Sequence, residues 1–434
     1  MKPPDPGDRS TVESGLQGCA SVLTVSVGRY TFSGPSKGEI GGLVAIGLGS
    51  HPDVVVIGGG IVGAACGYYL AREGLSVELL ERAFPTSGSS GACEGNLLLW
   101  DKELTRELPL AKQSLRLWRE LARELELNFE YEPKGSVVVA ENDAGLAASA
   151  RMVEKLREAG VPGSMLDQRE LHAEEPALAP DLPGGALFPE DGQVEPRYAT
   201  AALTEAGRRS GLVVCRDTPV QRVIRNGAGR VEAVETARER IPAGAVVVAA
   251  GVWTREVAAM AGLDVQVHPR KGQIVVVERA PQLFRRKLSE AGYATAVESS
   301  AATLQVAMVA ESTRAGPLLL GSSRELVGFD RSVSLRVAAA IAARAIRFFP
   351  VLAGLRCIRN YAGLRPFSPD HLPLIGPMRG AEGFYVATGH EGAGIGLAPA
   401  TGRLIAQWVT GQPLDFPADW FRPDRFREGQ GATR

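Results

Sequence analysis

The chain is poor in cysteine. Its five cysteines, Cys19, Cys66, Cys93, Cys215 and Cys357, are scattered, and none stands in a Cys-x-x-Cys spacing. That pattern excludes a zinc ribbon or an iron–sulfur framework of the chain's own, because such sites need closely spaced thiolates. The odd, dispersed count suits a reducing compartment, and a cytoplasmic location is expected. Long apolar runs are missing as well. The early stretch Ile40 to Leu48 is short and rich in glycine, so no membrane span is expected. Neither sign of charge prevails, with 48 lysines and arginines against 49 aspartates and glutamates. A nucleic-acid or anionic-membrane partner requires a basic excess, and there is none. Residues 1–51 lack the cationic start and unbroken apolar block of a signal peptide. Rich in Gly, Ser and Pro, they are read as a disordered leader or the product of an upstream start. What remains is a chain of 434 residues with ordinary apolar content, long enough for two domains.

One stretch dominates what is present. Asp53-Val54-Val55-Val56-Ile57 is an apolar run that breaks into Gly58-Gly59-Gly60-Ile61-Val62-Gly63. Ala64 to Glu73 then has helical character, and Leu75 to Glu81 is a second strand ending in an acid. This is the dinucleotide fingerprint in its full context. Gly58 permits a tight turn, Gly60 lets the backbone approach a pyrophosphate, and Gly63 lets helix and strand pack closely. The helix amino terminus presents N–H groups and a positive dipole end to phosphate. Glu81 stands about twenty residues on, where an acid binds ribose hydroxyls.

The rest of the chain alternates between two patterns. Leu104 to Leu125, Ala144 to Ala159, Tyr198 to Ser210 and Val333 to Phe349 have helical spacing, and Gly135 to Ala140 is a strand. Leu212 to Val214, Val220 to Val223 and Ala245 to Gly251 read as strands of a second nucleotide-binding block, the last ending at glycine. Lys271 to Glu278, Thr303 to Ala310 and Pro317 to Ser322 alternate as in an antiparallel sheet. Gly383 to Gly389 and a helix from Gly394 to about Val409 close the chain as a third block. The expected fold is α/β: a Rossmann-like, doubly wound nucleotide domain interleaved with a mixed antiparallel-sheet substrate domain. The expected partition assigns 52–127, 194–266 and 355–413 to the first, 128–193 and 267–354 to the second, and 414–434 to a tail.

The chain resembles the D-amino-acid oxidase superfamily of flavoproteins, in its glycine oxidase and sarcosine oxidase branch. The resemblance runs from about Asp53 to about Pro413. It rests on Gly58 to Gly63, Ser87 to Asn96, Val246 to Gly251 with Trp253, Gly363-Leu364-Arg365-Pro366 with Asp370, and Gly389-His390 through Pro399. Within the branch it is most like the flavin subunits of heteromeric dehydrogenases: opine oxidases, D-hydroxyproline dehydrogenase and hydrogen cyanide synthase. The resemblance implies FAD. The glycine-rich turn before the last helix agrees, since a nicotinamide enzyme needs only one such core.

Specific roles follow from the resemblance. Gly58, Gly60, Ile61, Val62 and Gly63 would hold the pyrophosphate, and Glu81 with Arg82 the adenosine end. Ser89, Ser90, Ala92, Gly95 and Asn96 would wrap the flavin and its ribityl chain. Val220 would pair with adenine, and Ala250, Gly251 and Trp253 would lie close to the cofactor. Gly363, Gly392, Gly394, Ile395, Gly396 and Leu397 would surround the flavin. There the helix amino terminus meets the negative charge that builds on reduction. Arg365 would grip the substrate carboxylate, a task that suits a guanidinium because it binds bidentately and never loses its charge. His390 and Glu391 are candidate catalytic groups facing flavin or substrate amine; a structural hydrogen bond at a strand end is the other reading of His390. Cys357 stands where its spacing fits a covalent flavin tether poorly, so non-covalent FAD is expected. The implied activity is hydride transfer from an amino or imino acid to flavin, with small iron–sulfur and second flavoprotein or NAD-type subunits as partners. Self-contained oxygen reduction and a non-catalytic assembly role are the alternatives. The segment Leu320 to Arg324 lacks the lysine that sarcosine oxidases hold over the flavin, which favours a dehydrogenase.

Overall fold

The computed structural model describes residues 51–280, 283–293 and 304–426. The expected leader apart from His51, Thr303 of an expected strand, Cys19 and the end of the tail lie outside them.

The fingerprint strand is the centre of the first layer. Val54–Ile57 is four branched apolar residues, all buried, as a strand covered on both faces requires. It pairs in parallel with Val77–Leu80 on one side and Ala245–Val248 on the other. Val213–Cys215 and Phe384–Thr388 extend the parallel set, and Leu374–Pro377 adds an antiparallel edge. Successive side chains point to opposite faces, so each face has its own core. Val54 and Val56 pack with the helices Ile61–Arg72, Pro196–Arg209, Gly394–Thr410 and Glu107–Glu124. Val55 and Ile57 pack against a three-stranded antiparallel sheet of Val220–Arg225, Val231–Thr236 and Arg240–Pro242.

The second layer is an eight-stranded mixed sheet. Its order runs Cys357–Phe367, His268–Arg279, Pro317–Arg324, Gln305–Ser312, Lys287–Glu290, Ser136–Ala140, Gly184–Phe188, Ser164–Asp167. The helix Leu335–Phe348 covers one face with Val337, Ile341, Ala345 and Phe348, spaced four, four and three apart. Val138, Ala307 and Val309 of the other face share a core with the first layer's helices. The interleaved α/β architecture read from the sequence is therefore present. One strand departs from the expected partition. Cys357–Phe367, assigned to the nucleotide part that begins at 355, pairs along His268–Arg279 in the eight-stranded sheet. The strand that bears Arg365 is thus a wall of the second layer, facing a loop of the first.

Candidate active site

The fingerprint turn is built by close approach. Gly58 has φ of +115°, and a Cβ there would lie 2.5 Å from the Ala249 carbonyl oxygen. A Cβ on Gly63 would lie 1.9 Å from the Gly58 carbonyl oxygen. Both positions exclude a side chain, which brings the start of the helix Ile61–Arg72 against the strand end. Gly60 caps that helix with no side-chain bond of its own; Ser90 Oγ accepts from Ile61 N at 3.0 Å. Glu81, 7% exposed, accepts from Gly59 N at 2.7 Å and from Ala83 N at 2.9 Å. Oε1 also accepts from Ser87 Oγ at 3.4 Å, while Oε2 keeps a second lone pair, so Glu81 both ties the turn and remains able to receive a ribose hydroxyl.

These groups open into one elongated cleft with about 1790 Å³ of atom-free space, its mouth included. Ile61, Val62 and Gly60 line one end with Val220, Ala250 and Gly251. Trp253 stands there too, its ring covered by the Arg82 guanidinium at 3.7 Å. Ser89, Ala92 and Asn96 line the middle, opposite Gly363. The Ser89 hydroxyl donates to the Leu364 carbonyl, and a Cβ on Gly363 would lie 2.7 Å from the Ala92 carbonyl oxygen. The loop therefore touches the Arg365 strand backbone to backbone. At the far end Gly392, Gly394 and Ile395 bring in the start of the helix Gly394–Thr410, which also has no side-chain cap. Two uncapped helix amino termini, an acid at ribose position and a glycine-walled channel make a donor set that fits FAD.

Four residues expected at the cofactor do not line the cleft. Gly63 lies under the Gly58 carbonyl, and Gly95 sits where a Cβ would be 1.6 Å from the Val194 carbonyl oxygen. Gly396 is set against the Asn96 carbonyl oxygen, 3.1 Å from its would-be Cβ, and Leu397 is 1% exposed in the core. They shape the wall from behind. Asp370, another motif residue, receives a two-pronged bond from Arg425 and so anchors the chain's last described segment.

The substrate end is rich in buried arginine. Arg365 Nη1 donates to the Ser323 carbonyl at 2.8 Å. Its guanidinium occupies the space over Gly272, where a Cβ would lie 2.1 Å from Nη1. Burial and the neighbouring charge of Arg324 lower its pKa, yet a guanidinium remains protonated. Glu391 lies beside it in the cleft wall as an ion-pair hub. Arg270 Nη1 donates to its Oε1 at 2.7 Å, Arg324 Nε lies 3.8 Å from the same oxygen, and His371 Nδ1 is 3.3 Å from Oε2. Burial pushes the Glu391 carboxyl up, but the His371 hydrogen bond and the charges of Arg324 and Arg270 outweigh it and hold the group below the usual carboxylate range. Arg324 also covers the Tyr293 ring at 4.8 Å. Removing one partner of such a buried pair typically costs about 3–5 kcal/mol.

His390 belongs to the wall rather than to this cluster. It is 3% exposed, and its Nε2 lies 2.9 Å from Thr401 Oγ1 on the last helix, which is the structural hydrogen bond of the second sequence reading. Burial lowers its pKa from 6.5 to about 3, so the ring is neutral. The unfolded chain then binds the extra proton first, and stability falls as pH drops below 6.5 toward about 3. His390→Gln should flatten the melting temperature against pH across that window; a slope equal to the parent's would contradict this reading.

Sequence reasoning missed Arg270, Arg324, Gly272, Tyr293 and Glu94. Arg270 and Arg324 flank the expected strands Lys271 to Glu278 and Pro317 to Ser322, where a charge normally marks a solvated strand end. Burial at 2% each appears only after the sheet forms. Glu94 had one signal, as the only charged residue in the small-residue loop from Pro85 to Asn96. Cys357 is exposed in its strand and is not among the residues lining the cleft.

Comparison with known proteins agrees with this geometry. Residues 53–408 match the profile of the family described as FAD dependent oxidoreductase. The chain is 30% identical to hydrogen cyanide synthase subunit HcnC of Pseudomonas protegens, over 87% of this chain and 96% of that protein. It is 30% identical to glycine oxidase of Geobacillus kaustophilus, over 82% and 92% of the two chains. The crystal structure of a glycine oxidase from Geobacillus kaustophilus superposes with a TM-score of 0.78 at 28% identity, covering 87% of this chain and 99% of that one.

Proposed function

The chain belongs to the FAD-dependent oxidoreductase family, and from that premise we propose that it oxidises the C–N bond of an amino or imino acid. Arg365 carries the reading: a fixed, partly buried guanidinium at the substrate end of a flavin-sized cleft is suited to a carboxylate. Bound FAD supplies the hydride acceptor. The chain's residues supply orientation and charge. Arg365 holds the substrate carboxylate. Glu391 holds Arg270 and Arg324 in place. His390 is bonded to Thr401, midway along the last helix, and the N–H groups at that helix's start would face the flavin and offer it a positive dipole end. Tyr293, 5% exposed, packs edge-on against Trp100 and gives the cleft an apolar wall.

The finer reading is a dehydrogenase subunit acting on a D-amino acid, D-hydroxyproline, a glycine- or sarcosine-like acid or an opine. It passes electrons to a small iron–sulfur subunit and a second flavoprotein or NAD-type subunit. Likeness to a synthase subunit supports it, as does the absence of lysine in Leu320 to Arg324. The experiment is anaerobic: the yellow protein should bleach when an amino or imino acid is added under nitrogen. It should then turn over faster with an artificial dye than with oxygen. Failure of every such acid to bleach it would leave a non-catalytic flavin subunit. Peroxide formed as fast as dye is reduced would make it a stand-alone oxidase.

A further inference from the structure

Phe329 has no place in the site so far. It stands in the loop of residues 325–334, between the strand Pro317–Arg324 and the helix Leu335–Phe348. It is 45% exposed, yet its ring stacks on Trp253, with centroids 6.1 Å apart and planes 25° apart. Trp253 lines the cleft and Phe329 does not. A residue of the second layer therefore backs one wall of the cofactor channel. The loop that presents it is anchored. Lys271, 3% exposed, reaches Asp330 at 3.1 Å, and its backbone exchanges two hydrogen bonds with Glu325. Ser332 N donates to Asp330 Oδ1 at 2.8 Å. Lys271 in turn precedes Gly272, over which the Arg365 guanidinium lies.

The parallel sheet fixes where Trp253 stands. Val77–Leu80 and Ala245–Val248 flank the fingerprint strand Val54–Ile57 on opposite sides, all three running the same way. Arg82 follows the first flanking strand, and Trp253 ends the turn Gly251–Trp253 after the second. Neighbouring strands lie about 4.8 Å apart, so the flanking pair are about 10 Å from each other. Their side chains nevertheless meet, with the Arg82 guanidinium 3.7 Å from the Trp253 ring centroid. They do so by reaching across the end of the middle strand, where Gly58, Gly59 and Gly60 turn and line the cleft. That turn is the part of the cleft suited to a pyrophosphate. The loop from Ser87 to Asn96 abuts the same ring, since a Cβ on Gly88 would lie 3.4 Å from it.

We infer that Arg82, Trp253 and Phe329 form a latch across the FAD cleft, and that Phe329 is the residue by which the second layer holds it shut. Arg82 and Trp253 bridge the cleft, and Phe329 fixes the Trp253 ring between them and the anchored loop. FAD leaves when this stack parts. A cation over an indole and a stacked aromatic pair each resist parting by more than their buried area alone. Phe329 touches neither cofactor nor substrate on this account; it is a positioning residue that acts through Trp253. The inference rests on FAD occupying the cleft and is independent of which acid is oxidised.

The experiment times the release of FAD from the yellow holoprotein after dilution, read as flavin that passes a filter retaining the protein. Phe329→Ala should release FAD about two- to tenfold faster than the parent. Phe329→Tyr keeps the ring and should hold FAD as the parent does. Val327→Ala trims an apolar side chain of the same loop, 41% exposed and outside the stack, and should leave the rate unchanged. Arg82→Ala should speed release as well. Because both act through one ring, Arg82→Ala combined with Phe329→Ala should fall short of the product of the two single effects. An unchanged rate in Phe329→Ala would overturn the inference. So would a Phe329→Tyr that loses FAD as fast as Phe329→Ala, or a Val327→Ala that loses it faster than the parent. A double variant whose effect equals the product would show two independent contacts rather than one latch.

Discussion

Arg365→Ala is expected to weaken apparent binding of an amino-acid substrate by about 2–5 kcal/mol, because it strips the partner from a carboxylate that the cleft desolvates. That is roughly a 30- to 5,000-fold rise in apparent KM or fall in kcat/KM. FAD content should be unchanged, since the guanidinium is anchored on Ser323 and over Gly272 rather than in the fingerprint turn. The structure adds a companion. Gly272→Ala puts a methyl 2.1 Å from Arg365 Nη1. It should displace the arginine and reproduce much of the kinetic defect without touching a charge. Arg270 and Arg324 stay in place in both variants, so each reports on position 365. Normal steady-state kinetics in Arg365→Ala would remove it from the substrate site.

Gly63→Ala should cost the protein its flavin. The added methyl would lie 1.9 Å from the Gly58 carbonyl oxygen and 3.0 Å from its carbon. Both are backbone atoms at the end of a central strand and cannot rotate aside. Overpacking of this kind typically costs about 1–3 kcal/mol, occasionally more, and here the relief is to open the turn that approaches the pyrophosphate. The expected result is a colourless protein after desalting and a lowered melting temperature. Gly60→Ala is the contrast. Its methyl meets Ser90 Oγ at 3.1 Å, a hydroxyl that can rotate, so its melting temperature should stay closer to the parent's. A yellow Gly63→Ala with the parent's stability would mean the turn is more compliant than its contacts imply.

The two variants divide along the line between what was legible in the chain and what was not. Gly63 could be read directly, because the turn joins residues adjacent in sequence and its steric rule is local. The same holds for the buried run Val54–Ile57 and for the helix Ile61–Arg72, which lies within three residues of its expected start. Arg365 was legible by its motif, but its setting was not. The strand Cys357–Phe367 alternates weakly, and its place was fixed by pairing with His268–Arg279, about ninety residues earlier. Glu391 looked like a catalytic candidate from its position beside His390. In the structure it is the hub of Arg270, Arg324 and His371, which come from separate strands and a turn.

By itself, then, the sequence determined a dinucleotide-binding site and the layered α/β plan, because hydrophobic period and glycine spacing act over a few residues; FAD in particular was what the family resemblance implied. Tertiary structure alone decided the charge balance of the substrate end. Which arginines are buried and which carboxylate they share depend on strands brought together from distant parts of the chain. Burial of a charge is costly unless a partner is supplied, and no local pattern announces where that partner will come from.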